Sequence, residues 1–172
     1  MAILDDLRRL YAAEKSFGAP PQWFFDGTEQ ERYSMTVPLS VDYVIEEGFY
    51  LEGNCLRGYP DENVSLSLVY KPSTGFAGPL ERFDWKPHHF HENRGGVKGE
   101  WKWKRITGTH VHPFELNKAL GWERMVRGNL PRAMPVPEPL TGFRDMLESV
   151  RQAWKIQDIQ RIPVPEWQPR LT

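Results

Sequence analysis

Residues 64–70 read Val64-Ser65-Leu66-Ser67-Leu68-Val69-Tyr70. Large apolar side chains alternate here with serine, the period of two that puts one face of a strand in a core and the other in water. One wet face points to an antiparallel sheet, because parallel strands are apolar on both sides. The neighbouring stretches keep the same rhythm. Arg32-Tyr-Ser-Met-Thr-Val-Pro-Leu39 and Tyr43-Val-Ile-Glu-Glu-Gly-Phe-Tyr-Leu-Glu-Gly53 precede it, and Leu80–Trp85, 100–106 and Thr109–His112 follow. Turns are predicted at Gly53-Asn54, at Gly58-Tyr-Pro-Asp-Glu62 and at Asn93-Arg-Gly-Gly96. Pro38 cannot donate to a ladder, so its stretch is expected at an edge or a strand end.

Helices are expected on either side of this strand-rich centre. Ile3, Leu4, Leu7, Leu10 and Tyr11 recur at helical spacing and predict a helix over 3–17, ended by Gly18-Ala-Pro20-Pro21. Pro113 suits a first helical position, so a second helix is predicted over about 114–127. Pro131, Pro135, Pro137 and Pro139 then force an extended connector. Thr141 is the expected cap of a third helix, 141–157, with Phe143, Met146, Leu147, Val150 and Trp154 as its apolar stripe. An extended tail, 162–172, carries Trp167 as an anchor. The order of elements predicts an α+β fold: an antiparallel, strongly twisted meander of about five to six strands over about 30–112, flanked by the N-terminal helix and two C-terminal helices.

The 172 residues, 40% hydrophobic, suffice for one sizeable core, and a single domain over 1–172 is expected. With 22 Lys+Arg against 23 Asp+Glu the net charge is -1, which excludes a global basic field and makes any nucleic-acid contact local. Cys55 is the one cysteine, so an internal disulfide and a cysteine-based zinc site are excluded, as suits a reducing compartment. The start lacks a basic segment followed by an apolar one, and no run approaches the roughly 18 apolar residues of a membrane span. A cytoplasmic protein without a membrane partner is expected.

All five histidines, His88, His89, His91, His110 and His112, crowd into one short stretch. Imidazole serves as proton shuttle, metal ligand or anion contact near neutral pH. His89-Phe-His91 and His110-Val-His112 are both His-x-His pairs, and on extended backbone residues i and i+2 share a face. If the pairs meet, His89, His91, His110 and His112 could ligate a divalent transition metal such as zinc. Without metal, His110, His112 and His91 are the candidate acid and base of phosphodiester chemistry, which needs imidazoles of different pKa and a cation. His112 would gain from a helix N-terminus just after Pro113, where anions are favoured. Arg94, Lys98, Lys102, Lys104 and Arg105 are the candidate cations, with Arg94, Lys104 and Arg105 as substrate contacts. Trp101 and Trp103, alternating on a strand, are candidate stacking platforms for bases. The alternative for this stretch is an edge strand with buried tryptophans and solvated lysines. Asp84, Glu92 and Glu115 are the nearby carboxylates able to orient an imidazole.

Gly108-Thr-His110-Val-His112-Pro-Phe-Glu115 resembles the first half of a cupin motif, but Glu115 follows too closely and a helix stands where that motif has a strand. More of the chain is similar to another group. Leu80-Glu-Arg-Phe-Asp84-Trp, then His88-His89-Phe-His91-Glu-Asn93, then Thr109-His110-Val-His112-Pro-Phe resemble the His-rich centre of small bacterial toxin-antitoxin and mobile-element proteins, the TumE-like toxins among them. The resemblance implies a small α+β protein with a neighbouring antitoxin or nucleic-acid partner. Two functions follow from these readings: an enzyme acting on a phosphodiester, RNA above all, or a non-catalytic module that contacts a protein or nucleic acid through its His, Trp and Lys surface. The tail with Trp167 also suits docking on a second copy, giving a homodimer.

Overall fold

A computed structural model describes residues 2–27, 31–93, 101–137 and 139–168. In chain order the elements are α1 (Ala2–Ala12), β1 (Lys15–Phe17), β2 (Phe24–Asp26), β3 (Arg32–Val41), β4 (Val44–Leu56), β5 (Val64–Tyr70), β6 (Gly78–Trp85), β7 (His91–Glu92), β8 (Arg105–Ile106), β9 (His110–His112), α2 (Phe114–Asn117), α3 (Trp122–Arg127), β10 (Met134–Pro135) and α4 (Phe143–Trp154). The fold is α+β. Among the described residues, eight strands make one antiparallel sheet in the order β1-β3-β4-β5-β6-β9-β10, with β2 also on β3; β7 and β8 form a separate two-stranded ribbon.

The meander β3-β4-β5-β6 follows from alternation. On β5, Val64, Leu66 and Leu68 are buried while Ser65 and Ser67 are not. In register with them, Phe83 and Trp85 of β6 join the core and Arg82 and Asp84 face outward. The inner face meets α4, whose Phe143, Met146, Leu147, Val150 and Trp154 are all buried, and Leu7 and Leu10 of α1. Each such aliphatic side chain contributes about 2 kcal/mol by leaving water. The outer face carries two polar cross-strand rows, Asn54-Ser65-Asp84-His110 and Glu52-Ser67-Arg82-His112.

Several boundaries differ from the sequence reading, each for a local reason. The first helix ends at Ala12, not at 17, because Lys15–Phe17 pair with Leu39–Val41 and extend the sheet. Gly53-Asn54 is not a turn but lies inside the long β4; a Cβ on Gly53 would come within 2.9 Å of Trp23 and 3.0 Å of Leu66, so the glycine serves close packing. The hairpin turn falls instead at Asp42-Tyr43, both at positive φ, the twisted geometry usually signalled by Asn-Gly. Pro38 sits in an inner strand at a register shift, on a stretch of β3 that neither β1 nor β2 covers. The predicted 114–127 helix is split by Gly121 at φ 81, with a 3-10 turn at Lys118–Leu120 between α2 and α3. The last helix spans 143–154 and starts after Gly142. Asp61, and not Thr141, caps it, its Oδ1 accepting the Phe143 N–H at 3.1 Å. Of the predicted strand 100–106, the described residues are strand only at Arg105–Ile106; residues 101–103 form a turn with Trp103 at φ 59.

Among the described residues no helix is long and apolar enough to cross a membrane. Trp167 does anchor the tail on the fold, its ring packing edge-on against Phe143 with centroids 5.6 Å apart.

Candidate functional site: a His-Asp-Arg cluster on the polar face of the sheet

Strands β6 and β9 pair antiparallel with Arg82 opposite His112 and Asp84 opposite His110. Each strand therefore lends two side chains to the outer face, i and i+2, and the four converge. Asp84 Oδ2 lies 2.9 Å from Arg82 Nε, 3.3 Å from His110 Nε2 and 3.2 Å from His112 Nε2. The third histidine arrives from the ribbon: the His91 ring centroid is 4.6 Å from that of His112 and 5.9 Å from that of His110.

Carbonyl acceptors fix the protons. His110 Nδ1 donates to the Gly108 carbonyl at 2.8 Å, and His112 Nδ1 donates to the Leu130 carbonyl at 2.6 Å. Either ring, when neutral, then has its lone pair on Nε2. For His112 that lone pair accepts from Arg82 Nη2 at 2.8 Å, so one guanidinium joins His112 to Asp84. His91 Nε2 donates to the Pro131 carbonyl at 3.1 Å, which leaves Nδ1 as its basic nitrogen.

Burial and charge set the titration. His112 is fully buried, and burial, with the Arg82 charge adding to it, outweighs its contact with Asp84 and pushes its pKa down to about 4. Burial lowers the pKa of His91 too, against the opposing Pro131 hydrogen bond. Burial alone would raise Asp84, but its close contacts with His110 and His112 and the Arg82 charge hold it well below the usual carboxylate range. The site is thus an ionised carboxylate and a guanidinium with the neutral imidazoles of His91 and His112, beside a cavity of about 570 Å³. Asp84, Arg82, Arg32, His89, His91 and His110 line that cavity, and the fully buried His112 does not.

The structure regroups the sequence candidates. His91, His110 and His112 come together. His89 lies in a bend before β7, exposed at the cavity rim, and is not among the clustered rings. The expected four-histidine metal set is therefore corrected: the group that could hold a metal ion is Asp84, His110 and His112, whose ligand atoms all lie within 4.8 Å of one another. His88 points elsewhere, 3.5 Å from Glu62 and against Tyr59. The anion-binding helix end fails as well, because α2 has a single turn and its first N–H, on Phe114, donates to Glu81 Oε2 at 2.9 Å.

Arg94 and Lys98 lie outside the described residues. Lys104 stacks over Trp101, and Arg105 covers the Phe90 ring at 4.1 Å. Trp101 and Trp103 sit in a turn, so they do not alternate on a strand; Trp103 is exposed. Glu92 pairs with Arg105 and Glu115 with Lys118. Sequence reasoning missed Arg82 as the site's cation, although its i,i+2 spacing from Asp84 was the available signal. Comparison with family models, with curated proteins and with solved structures returns no match.

Proposed function

We propose that this protein cleaves RNA phosphodiester bonds by metal-independent acid–base catalysis at the Arg82-Asp84-His91-His110 site. The observation that carries the reading is the guanidinium of Arg82, held between Asp84 Oδ2 and His112 Nε2 at the wall of a cavity that the imidazoles of His89, His91 and His110 line. A cation fixed in this way is preorganised for the charge that develops on a phosphoryl group.

In the proposed step, neutral His91 takes the 2′-hydroxyl proton on Nδ1 as the 2′-oxygen attacks phosphorus. The bond from phosphorus to the 5′-oxygen breaks, and protonated His110 gives its proton to that leaving oxygen. The product is a 2′,3′-cyclic phosphate. Asp84 stays ionised and stabilises the His110 imidazolium. His112 touches no substrate and acts as a positioning residue for Arg82. The TumE-like resemblance of residues 80–117 agrees with a nucleic-acid substrate.

A metal-dependent hydrolysis is favoured by a separate observation, the clustering of ligand atoms from Asp84, His110 and His112. Carbonyl-held Nδ1–H groups are the usual support of metal-binding histidines. Contact distances of 3.2–3.3 Å between the Asp84 and histidine ligand atoms also match the edge of a tetrahedron with bonds of about 2.05 Å. Against it, Arg82 already occupies the His112 lone pair, and an ion would have to displace a guanidinium. RNA cleavage assayed with a chelator and with added zinc or manganese separates the two. Cleavage in the chelator supports the acid–base reading, cleavage only with metal replaces it by the metal reading, and no cleavage in either removes both.

A further inference from the structure

We infer that Phe90 is a stacking platform for a nucleobase, which makes the substrate of this site single-stranded RNA with an unstacked base beside the scissile phosphate. The inference rests on the phosphodiester reading above. Phe90 directly precedes the β7–β8 ribbon and is 53% exposed. It lines two cavities at once, the one of about 570 Å³ that holds Asp84 and His110, and another of about 410 Å³ bounded by Glu92, Gly128 and Pro131. His91 also lines both. The spaces adjoin at the side chain that would act as base, as two nucleosides flanking one phosphate require.

The ring is held for this task. Arg105, on the partner strand of the ribbon and paired with Glu92 at 3.8 Å, places its guanidinium carbon 4.1 Å from the Phe90 centroid, a cation–π contact that fixes the ring. Buried Asn93 pins the same ribbon: its side chain donates to the carbonyls of Ala133 at 2.7 Å and Trp101 at 2.9 Å and accepts the Ala133 N–H at 2.8 Å. Exposure alone does not single out Phe90, since Trp103 is 65% exposed yet lines neither cavity. An aromatic face at a phosphate site takes any unpaired base, whereas a duplex keeps its base faces stacked.

Fluorescence anisotropy tests this with three labelled probes of about eight nucleotides, a length within the range of single-strand sites. The probes are 2′-O-methyl oligouridine, the corresponding abasic ribose-phosphate strand, and a base-paired hairpin; the methyl groups prevent cleavage. Wild type should prefer oligouridine over the abasic strand and the hairpin by about tenfold or more, a typical effect of stacking one base. F90A should lose that preference and F90W should keep it. A preference unchanged in F90A, or wild type binding the abasic strand as tightly as oligouridine, overturns the platform and leaves the phosphodiester reading standing. Wild type binding none of the probes overturns both.

Discussion

Arg82 and His112 face each other in register across β6 and β9, with Arg82 Nη2 2.8 Å from His112 Nε2. The same guanidinium donates through Nε to Asp84, so a fully buried imidazole decides where the site's cation points. His112 can do this only in one tautomer, and the Leu130 carbonyl selects it.

Removing the guanidinium should therefore loosen the site as well as inactivate it. R82Q is expected to lower stability by about 2 kcal/mol, the scale of a lost charge-assisted hydrogen bond, as measured by urea unfolding. R82K keeps the charge but cannot bridge two acceptors with a planar fork, and should leave RNA cleavage at least tenfold down. Wild-type cleavage by R82K would mean that charge alone suffices.

His112 should remain neutral across the physiological range. Long-range proton–nitrogen NMR of the imidazoles is expected to show His112 as the Nδ1–H tautomer at pH 7 and to detect its protonation only near pH 4. The linked stability has a defined sign. A histidine whose folded pKa is depressed binds its proton more weakly in the folded state, so its stabilisation is complete above pH 6.5 and is lost as pH falls toward about 4. The urea midpoint of wild type should drop over that window more steeply than that of H112Q.

His91 and His110, two of the cavity-lining imidazoles, carry different roles, so their variants should differ in pH profile. H91A and H110A are each expected to lower RNA cleavage by about 100-fold or more, the usual range for a positioned acid or base. H91A should also flatten the acidic limb of the rate profile, because His91, whose pKa is lowered by burial, must be neutral to act. Identical profiles for both variants would contradict this division.

Asn93 ties the ribbon into the same site and also hydrogen-bonds His91. N93A removes three hydrogen bonds that tie the ribbon to the chain at Trp101 and Ala133. A loss of about 2 to 3 kcal/mol in urea unfolding is expected, since the Ala133 N–H and its carbonyl lose buried partners. Hydrogen exchange should show the loss concentrated at residues 91–93 and 131–135.

The sheet was legible because Val64, Leu66 and Leu68 alternate with serine, and α4 was legible because its apolar stripe is continuous. The Asp42-Tyr43 turn was not, because it depends on positive φ at non-glycine residues, whereas Gly121 is itself the local signal for the split inside the predicted helix. Crowding of histidines located the site within the chain, but the grouping depended on register. Only the pairing of β6 with β9 puts Arg82 opposite His112 and Asp84 opposite His110. His89 failed because the i,i+2 rule needs extended backbone at both residues, and a bend occupies 88–89.

The most direct test is incubation of the purified protein with single-stranded RNA in excess EDTA, followed by analysis of the 3′ ends. Cleavage that persists without divalent metal, gives 2′,3′-cyclic phosphate and disappears in H110A is the predicted result. Intact RNA under these conditions, or products lacking the cyclic phosphate, would contradict the acid–base site.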